Sequence, residues 1–300
     1  MEKKVDWRGI GWFVGLTFLI TWAAEFYFIF ARGSYFAGLL PVPEQILLTA
    51  VMFVPAVVTV VVTKLITKEG LGVTGLKLGP WRGYLEILVI VVGVFAGAFL
   101  LTWILGLAQP DWELKSYRQL LAQLAPGAAE QFNPLVFLTT LFLATLTVNP
   151  LFSSIATFGE ELGWRGYLLP KLMPLGKVRA VVISGVIWGL WHAPLIVRGF
   201  NYPGYPVLGV LLMILFTTFC GALLGAYRLK YNSVFLATWA HAVINTQGRG
   251  IWYVIFSQVN PVLGGAIGLT GLIFWLAVAV WALRWMPEQQ LAQGDKSLEP

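Results

Sequence analysis

The sequence predicts an all-α, polytopic membrane protein, a bundle of about eight transmembrane helices with both termini cytoplasmic. Three observations predict it. The 300-residue chain is 58% hydrophobic and 11% charged, with a mean hydropathy of +0.77, whereas a soluble domain averages about 45–50% apolar and ~25% charged. The apolar residues gather into stretches long enough to cross a bilayer. The cations fall between those stretches with a strong bias to one side.

A hydrocarbon core about 30 Å thick needs roughly 20 apolar residues in a helix. Stretches of that kind cover 9–31, 45–66, 84–108, 133–158, 180–198, 206–227, 233–256 and 262–284. The first follows the basic "MEKKVDWRG". It is too long and too aromatic for a signal peptide and lacks a small-residue cleavage site, so it is expected as a retained span. Asn149-Pro150 interrupts the fourth, where the missing proline N–H predicts a kink or a restart. The fifth carries His192 and Pro194. The sixth holds Cys220, the one cysteine, which excludes disulfide frameworks and CxxC metal sites and reads as a small buried hydrophobe. The seventh carries His241, Asn245 and Arg249, and the eighth closes the bundle. Of the connections, 64–83 is basic, 109–131 contains "SYRQLLAQL", a candidate amphipathic surface helix, and the tail 287–300 is polar and expected to be loose.

With the N-terminus inside, all but five of the 20 Lys and Arg residues fall on the inner side. The outer five are Arg32, Lys115, Arg118, Arg198 and Arg249. That asymmetry sets both termini in the cytoplasm and accounts for the net charge of +6, so no nucleic-acid partner is implied.

Ionisable side chains inside spans are costly, and they pair or line a cavity. Glu25 and Arg249 lie at similar depth toward the outer side, which predicts an ion pair. The rest form three blocks. In "GEELGWRG", Glu161 and Arg165 are spaced i, i+4 and can pair, whereas Glu160 points about 100° away with Trp164 at its i+4 position. A desolvated carboxylate without a cation suits a general base; an interfacial salt-bridge cluster is the blander reading. In "WGLWHAPL", Trp188 and His192 are i, i+4, and in "WAHAVINT" His241 and Asn245 share a face one turn apart. The latter two can present donors to an oxyanion or form an interhelical clamp. Taken together, both histidines of the chain, an amide and a carboxylate pair on successive spans point to a water-bearing hydrolase cavity. Glu160 reaches the depth of the histidines only if its helix is tilted, restarted near Pro150, or followed by a re-entrant turn.

The three blocks resemble the CPBP family of intramembrane proteases, which includes type II CAAX prenyl endopeptidases and bacterial Abi proteins. The family pattern is EExxxR, FxxxH and HxxxN on successive membrane helices. Here these are "EELGWR" at 160–165, "WGLWH" at 188–192, with Trp188 where the phenylalanine usually stands, and "HAVIN" at 241–245. The similarity covers roughly 135–250, a CPBP-like core within a single transmembrane domain of residues 1–300. The resemblance implies an eight-helix bundle in the plasma membrane of a prokaryote, with its site open to the cytoplasm. It implies that Glu160 and His192 activate water, that His241 and Asn245 hold the oxyanion, and that Glu161 and Arg165 maintain the geometry. The family is usually labelled metalloprotease, although a metal-free glutamate mechanism is also argued for it; Glu160, His192 and His241 could hold one divalent metal such as Zn2+, and the sequence leaves both open. The implied partners are membrane lipids and a membrane-associated peptide or protein substrate, lipidated or not.

Other protease classes fit poorly. Neither histidine begins an HExxH motif; the aspartates, Asp6, Asp111 and Asp295, all lie outside spans; and Ser184-Gly185 is preceded by Val182 where a GxSG site needs glycine. The rival reading is non-enzymatic, a transporter or an immunity or scaffold protein that binds through the same polar cavity.

Overall fold

The computed structural model of the chain describes residues 4–38 and 40–288. Among these residues it is all-helical. In chain order the helices are α1 (Trp7–Phe26), α2 (Val42–Val51), α3 (Val54–Val61), α4 (Trp81–Ile104), α5 (Lys115–Leu124), α6 (Pro126–Glu130), α7 (Pro134–Leu146) and α8 (Val148–Gly163). They continue with α9 (Leu169–Leu172), α10 (Lys177–Trp191), α11 (Ala193–Val197), α12 (Pro206–Tyr231), α13 (Val234–Gln247), α14 (Ile251–Ile255) and α15 (Leu269–Trp285).

Four helical runs are long and apolar enough to cross a membrane: Trp7–Ala31, Val42–Ile66, Trp81–Ile104 and Pro206–Tyr231. A fifth is the pair Pro134–Leu146 and Val148–Leu175, bent by 45°. These correspond to the first, second, third, sixth and fourth expected spans. The other three expected spans are shorter, and each has a visible cause. The fifth stops at His192, just before Pro194, and resumes as the short α11; the proline ring cannot accept the helical geometry of a longer run. The seventh ends at the Gly248-Arg249-Gly250 break, and the eighth begins only after Gly268. The segment "SYRQLLAQL" is helical, as its amphipathic pattern predicts. The expected loose tail lies, from residue 289 on, outside the described residues.

The fourth span differs most from expectation. The break falls at Thr147, and Pro150 sits in the first turn of α8, where its missing N–H costs no hydrogen bond. The run then continues past residue 158 through a π-helical turn, Trp164–Leu168, to α9. Glu160 therefore lies in the interior of a helical run and not at its end, which removes the mismatch in depth with the histidines.

In hydrocarbon, helices associate through close packing and interhelical hydrogen bonds, because lipid is as apolar as leucine. Both devices operate here. A side chain at Gly159 of α8 would collide with the Met52 carbonyl, and one at Gly185 of α10 with Thr218 of α12. Thr157 of α8 donates to the Thr238 carbonyl of α13 at 3.1 Å, and Thr217 of α12 to the Gly185 carbonyl at 2.9 Å. α8, with the first block, is thereby held against α13, with the third, and α10, with the second, against α12.

The basic end of the bundle is tied by charge. Lys171 bridges Asp6, at 3.1 Å, and Glu69, at 2.6 Å. Asp6 also caps α1 by accepting from the Gly9 N–H at 2.9 Å. Partial burial works against the Asp6 carboxylate, but the Gly9 N–H, Lys171 and Arg8 outweigh it and hold the group below the ordinary aspartate range.

The expected Glu25–Arg249 ion pair does not form. Among the described residues neither oxygen of the fully buried Glu25 has a partner, and Arg249 is exposed just past the end of α13. Similar depth along two helices did not specify that their charged faces turn toward each other.

Candidate active site

The i, i+4 spacing of Glu161 and Arg165 survives the change from α-helix to π-turn, and Arg165 donates to Glu161 Oε1 at 3.0 Å. The same oxygen meets His241 Nδ1 at 2.9 Å. Glu161 and Arg165 are 0% and 1% exposed, so this pairing is what makes two charges tolerable at that depth. The guanidinium lies over the Trp188 ring, 4.0 Å from its centre, which adds a cation–π contact.

Glu160 turns the other way, as its position on the helix predicts. It has no cation, but it is not without donors. Trp188 Nε1 donates to its Oε2 at 2.8 Å and Trp164 Nε1 to the same atom at 3.4 Å. Its Oε1 takes no protein donor among the described residues. The sequence signal for one of these bonds was present in the Glu160/Trp164 i, i+4 spacing; the other, from 28 residues away, was not accessible to periodicity. A phenylalanine at 188 would supply the ring but not the N–H.

His192, at the end of α10, places its Nδ1 2.9 Å from the Trp188 carbonyl. A carbonyl only accepts, so Nδ1 carries the proton and the Nε2 lone pair is left free. By the same reasoning His241 donates Nδ1–H to the Glu161 carboxylate. Its Nε2 is then an acceptor in the neutral ring and a donor only in the imidazolium. Trp188 gathers the site: its ring centre is 5.2 Å from that of His241 and 6.0 Å from that of His192. Behind it, Trp191 meets His192 edge to face at 4.9 Å and Trp164 at 5.8 Å. Asn245, half-buried and one turn beyond His241 on α13, makes no side-chain hydrogen bond among the described residues.

The six residues singled out in the sequence thus lie on α8 and its π-turn, α10 and α13, with Glu160, Glu161, Arg165, His192 and His241 joined through direct contacts and the Trp188 ring. Glu160, His192 and His241 do not converge as metal ligands, and among the described residues no group of three His, Cys, Asp or Glu does. Glu160 Oε2 accepts from indole donors, and both histidines donate Nδ1–H to protein acceptors, which leaves Nε2 as the remaining ring atom of each.

Residues 135–247 match the family described as type II CAAX prenyl endopeptidase Rce1-like. This core resembles the CPBP family and carries its three motifs in order. A CAAX prenyl protease 2 from Methanococcus maripaludis is 40% identical over 67 residues, which is 22% of this chain and 21% of that protein. The aligned segment therefore spans about a fifth of the length of that relative. The CPBP core contains every element that carries the site: α7 to α13, from the bent pair to the His241–Asn245 face.

Proposed function

We propose that this protein is an intramembrane endopeptidase that hydrolyses a peptide bond of a membrane-associated substrate. The observation that carries this reading is the clasp on Glu160: two indole N–H groups fix Oε2, while the ring of one of them, Trp188, borders both histidines.

In this reading a water lies between Glu160 Oε1 and the free Nε2 of His192. Its oxygen attacks the scissile carbonyl carbon while Glu160 takes the proton. The proton passes to the departing amine as the tetrahedral intermediate collapses, and the carboxylate is restored. The oxyanion accepts from the Asn245 amide and from His241 Nε2 in the imidazolium form. Glu161 orients His241, and Arg165 balances the charge of Glu161. No step passes through a metal.

The name of the Methanococcus maripaludis relative, together with the family match, supports a prenylated substrate with a C-terminal C-a-a-X sequence. We further infer eight membrane passes in a prokaryotic plasma membrane, with the basic end, both termini and the substrate opening on the cytoplasmic side; the cation bias supports this orientation.

The test is cleavage of a prenylated C-a-a-X peptide by purified protein. Glu160→Gln and His192→Ala should each reduce kcat by about 10²-fold or more, the usual span of general acid–base catalysis. Undiminished cleavage by both variants would sink the mechanism.

A further inference from the structure

The hydrolase reading leaves a polar stripe on α1 unused. Thr17, Thr21 and Glu25 are all fully buried, and the two hydroxyls and both carboxylate oxygens have no partner among the described residues. They recur every four residues, so they share one face in steps of about 6 Å. Buried threonines elsewhere in the spans behave differently. Thr59, Thr63, Thr102 and Thr238 each donate to the carbonyl four residues back, at 2.7–3.0 Å. Thr17 and Thr21 make no such bond, so their hydroxyls are presented to the interior.

The stripe is anchored next to the site. Trp22 Nε1 donates to the Trp191 carbonyl at 3.1 Å, which sets Thr21 at the level of Trp191 and His192. One turn toward the basic end from Thr17, Phe13 meets Trp164 edge to face at 5.5 Å, and Trp164 is one of the donors to Glu160. The indole N–H of Trp191 is also buried without a partner. In the other direction α1 packs against α2 and α11. Beyond them, at the end opposite the basic one, opens a cavity of about 550 Å³ lined by Gln45, Thr49, Asn201 and Arg249 among others. Arg249 lies just past the C-terminal end of α13, the helix that carries His241 and Asn245. Two helices with polar groups at the catalytic level thus lead toward one cavity.

We propose that the Thr17–Thr21–Glu25 stripe is the wall of a hydrated seam, and that this seam delivers the water consumed at Glu160 and His192. Water is the ligand that fits. A single molecule bridges each 6 Å step with two hydrogen bonds of about 2.8 Å, and hydroxyl, carboxyl and indole groups can all bond to it. Buried polar groups without protein partners are satisfied in this way in folded proteins. The delivery role rests on the hydrolase reading; the hydration of the seam does not.

The experiment separates the two. In a Cys220→Ala background, Thr21→Cys and Leu19→Cys are treated in detergent with methanethiosulfonate ethylammonium, which needs a hydrated thiol. Leu19 is 67% exposed on the outer surface of the bundle and serves as the detergent-covered control. Thr21→Cys should react at least about tenfold faster, since the thiolate that reacts requires water. Equal rates would overturn the seam, whether or not the protein cleaves any peptide. Thr21→Val, isosteric but without the hydroxyl, should lower kcat severalfold at constant KM with an unchanged melting temperature. A wet seam with unaltered kcat in that variant would overturn the delivery role.

Discussion

Trp188 donates its indole N–H to Glu160 Oε2 at 2.8 Å, and the same ring carries the Arg165 guanidinium 4.0 Å from its centre. One side chain therefore holds the proposed base and shields the ion pair beside it. Trp188→Phe keeps the ring and removes the donor. A hydrogen bond to a charged group contributes about 1.5–3 kcal/mol, so kcat should fall by about ten- to a hundredfold while the cation–π contact and the fold persist. Peptide cleavage and a thermal melt of the purified variant, measured together, check this. An unchanged kcat would mean that Trp164 alone suffices to hold Glu160.

Glu161 Oε1 serves both Arg165 and His241, while Glu161 Oε2 has no partner among the described residues. Removing the arginine strands a buried carboxylate. Breaking one side of a buried pair costs about 3–5 kcal/mol, so Arg165→Met should fold poorly or melt well below the parent. Glu161→Gln removes the charge and keeps an acceptor, and should be milder in stability. It should be severe in turnover, because His241 loses the charged acceptor that holds its Nδ1–H and fixes the ring. Melting temperatures of the two variants, in that order, are the measurement.

The helical class and much of the site were legible in the sequence for a simple reason: period and composition act locally. Glu161 with Arg165, and Glu160 with Trp164, follow from i, i+4 spacing alone. The bond from Trp188 to Glu160 and that from His241 to Glu161 join different helices, and no local pattern encodes how two helices are rotated against each other. The unformed Glu25–Arg249 pair failed for the same reason. The end of the fourth span was misread because Glu160 and Glu161 broke the hydropathy there, although the helix runs on past them, with Glu161 paired to Arg165 and His241 and Glu160 held by two indole N–H groups.

Asp6 ties the start of α1 to Lys171 and is held below its ordinary range. A group with a depressed folded pKa stabilises fully above its unfolded value, about 3.9, and the contribution is lost as pH falls through the lower folded value. Melting temperature should therefore drop with acidification from about pH 5 downward, and Asp6→Asn should flatten part of that slope. Asn keeps an acceptor for the Gly9 N–H, so the flattening reports the charge pair and not the cap. Parallel melts from pH 6 to pH 3 give the comparison.

Cleavage should withstand chelation. Zinc in a catalytic site needs three protein ligands at about 2.0–2.2 Å, with lone pairs directed at one point. Glu160 Oε2 already accepts from two N–H donors, which leaves only Oε1 for any further contact. The histidines offer Nε2, but they and Glu160 do not converge as a ligand group. Incubation with excess EDTA followed by desalting should leave kcat within about twofold, since the proposed chemistry passes its protons only between Glu160, the histidines and substrate. Elemental analysis of the same sample should give well under one zinc per chain. Loss of activity on chelation, restored by stoichiometric zinc, would show instead that the Trp188 clasp opens to admit a metal, and Trp188→Phe should then raise the metal affinity.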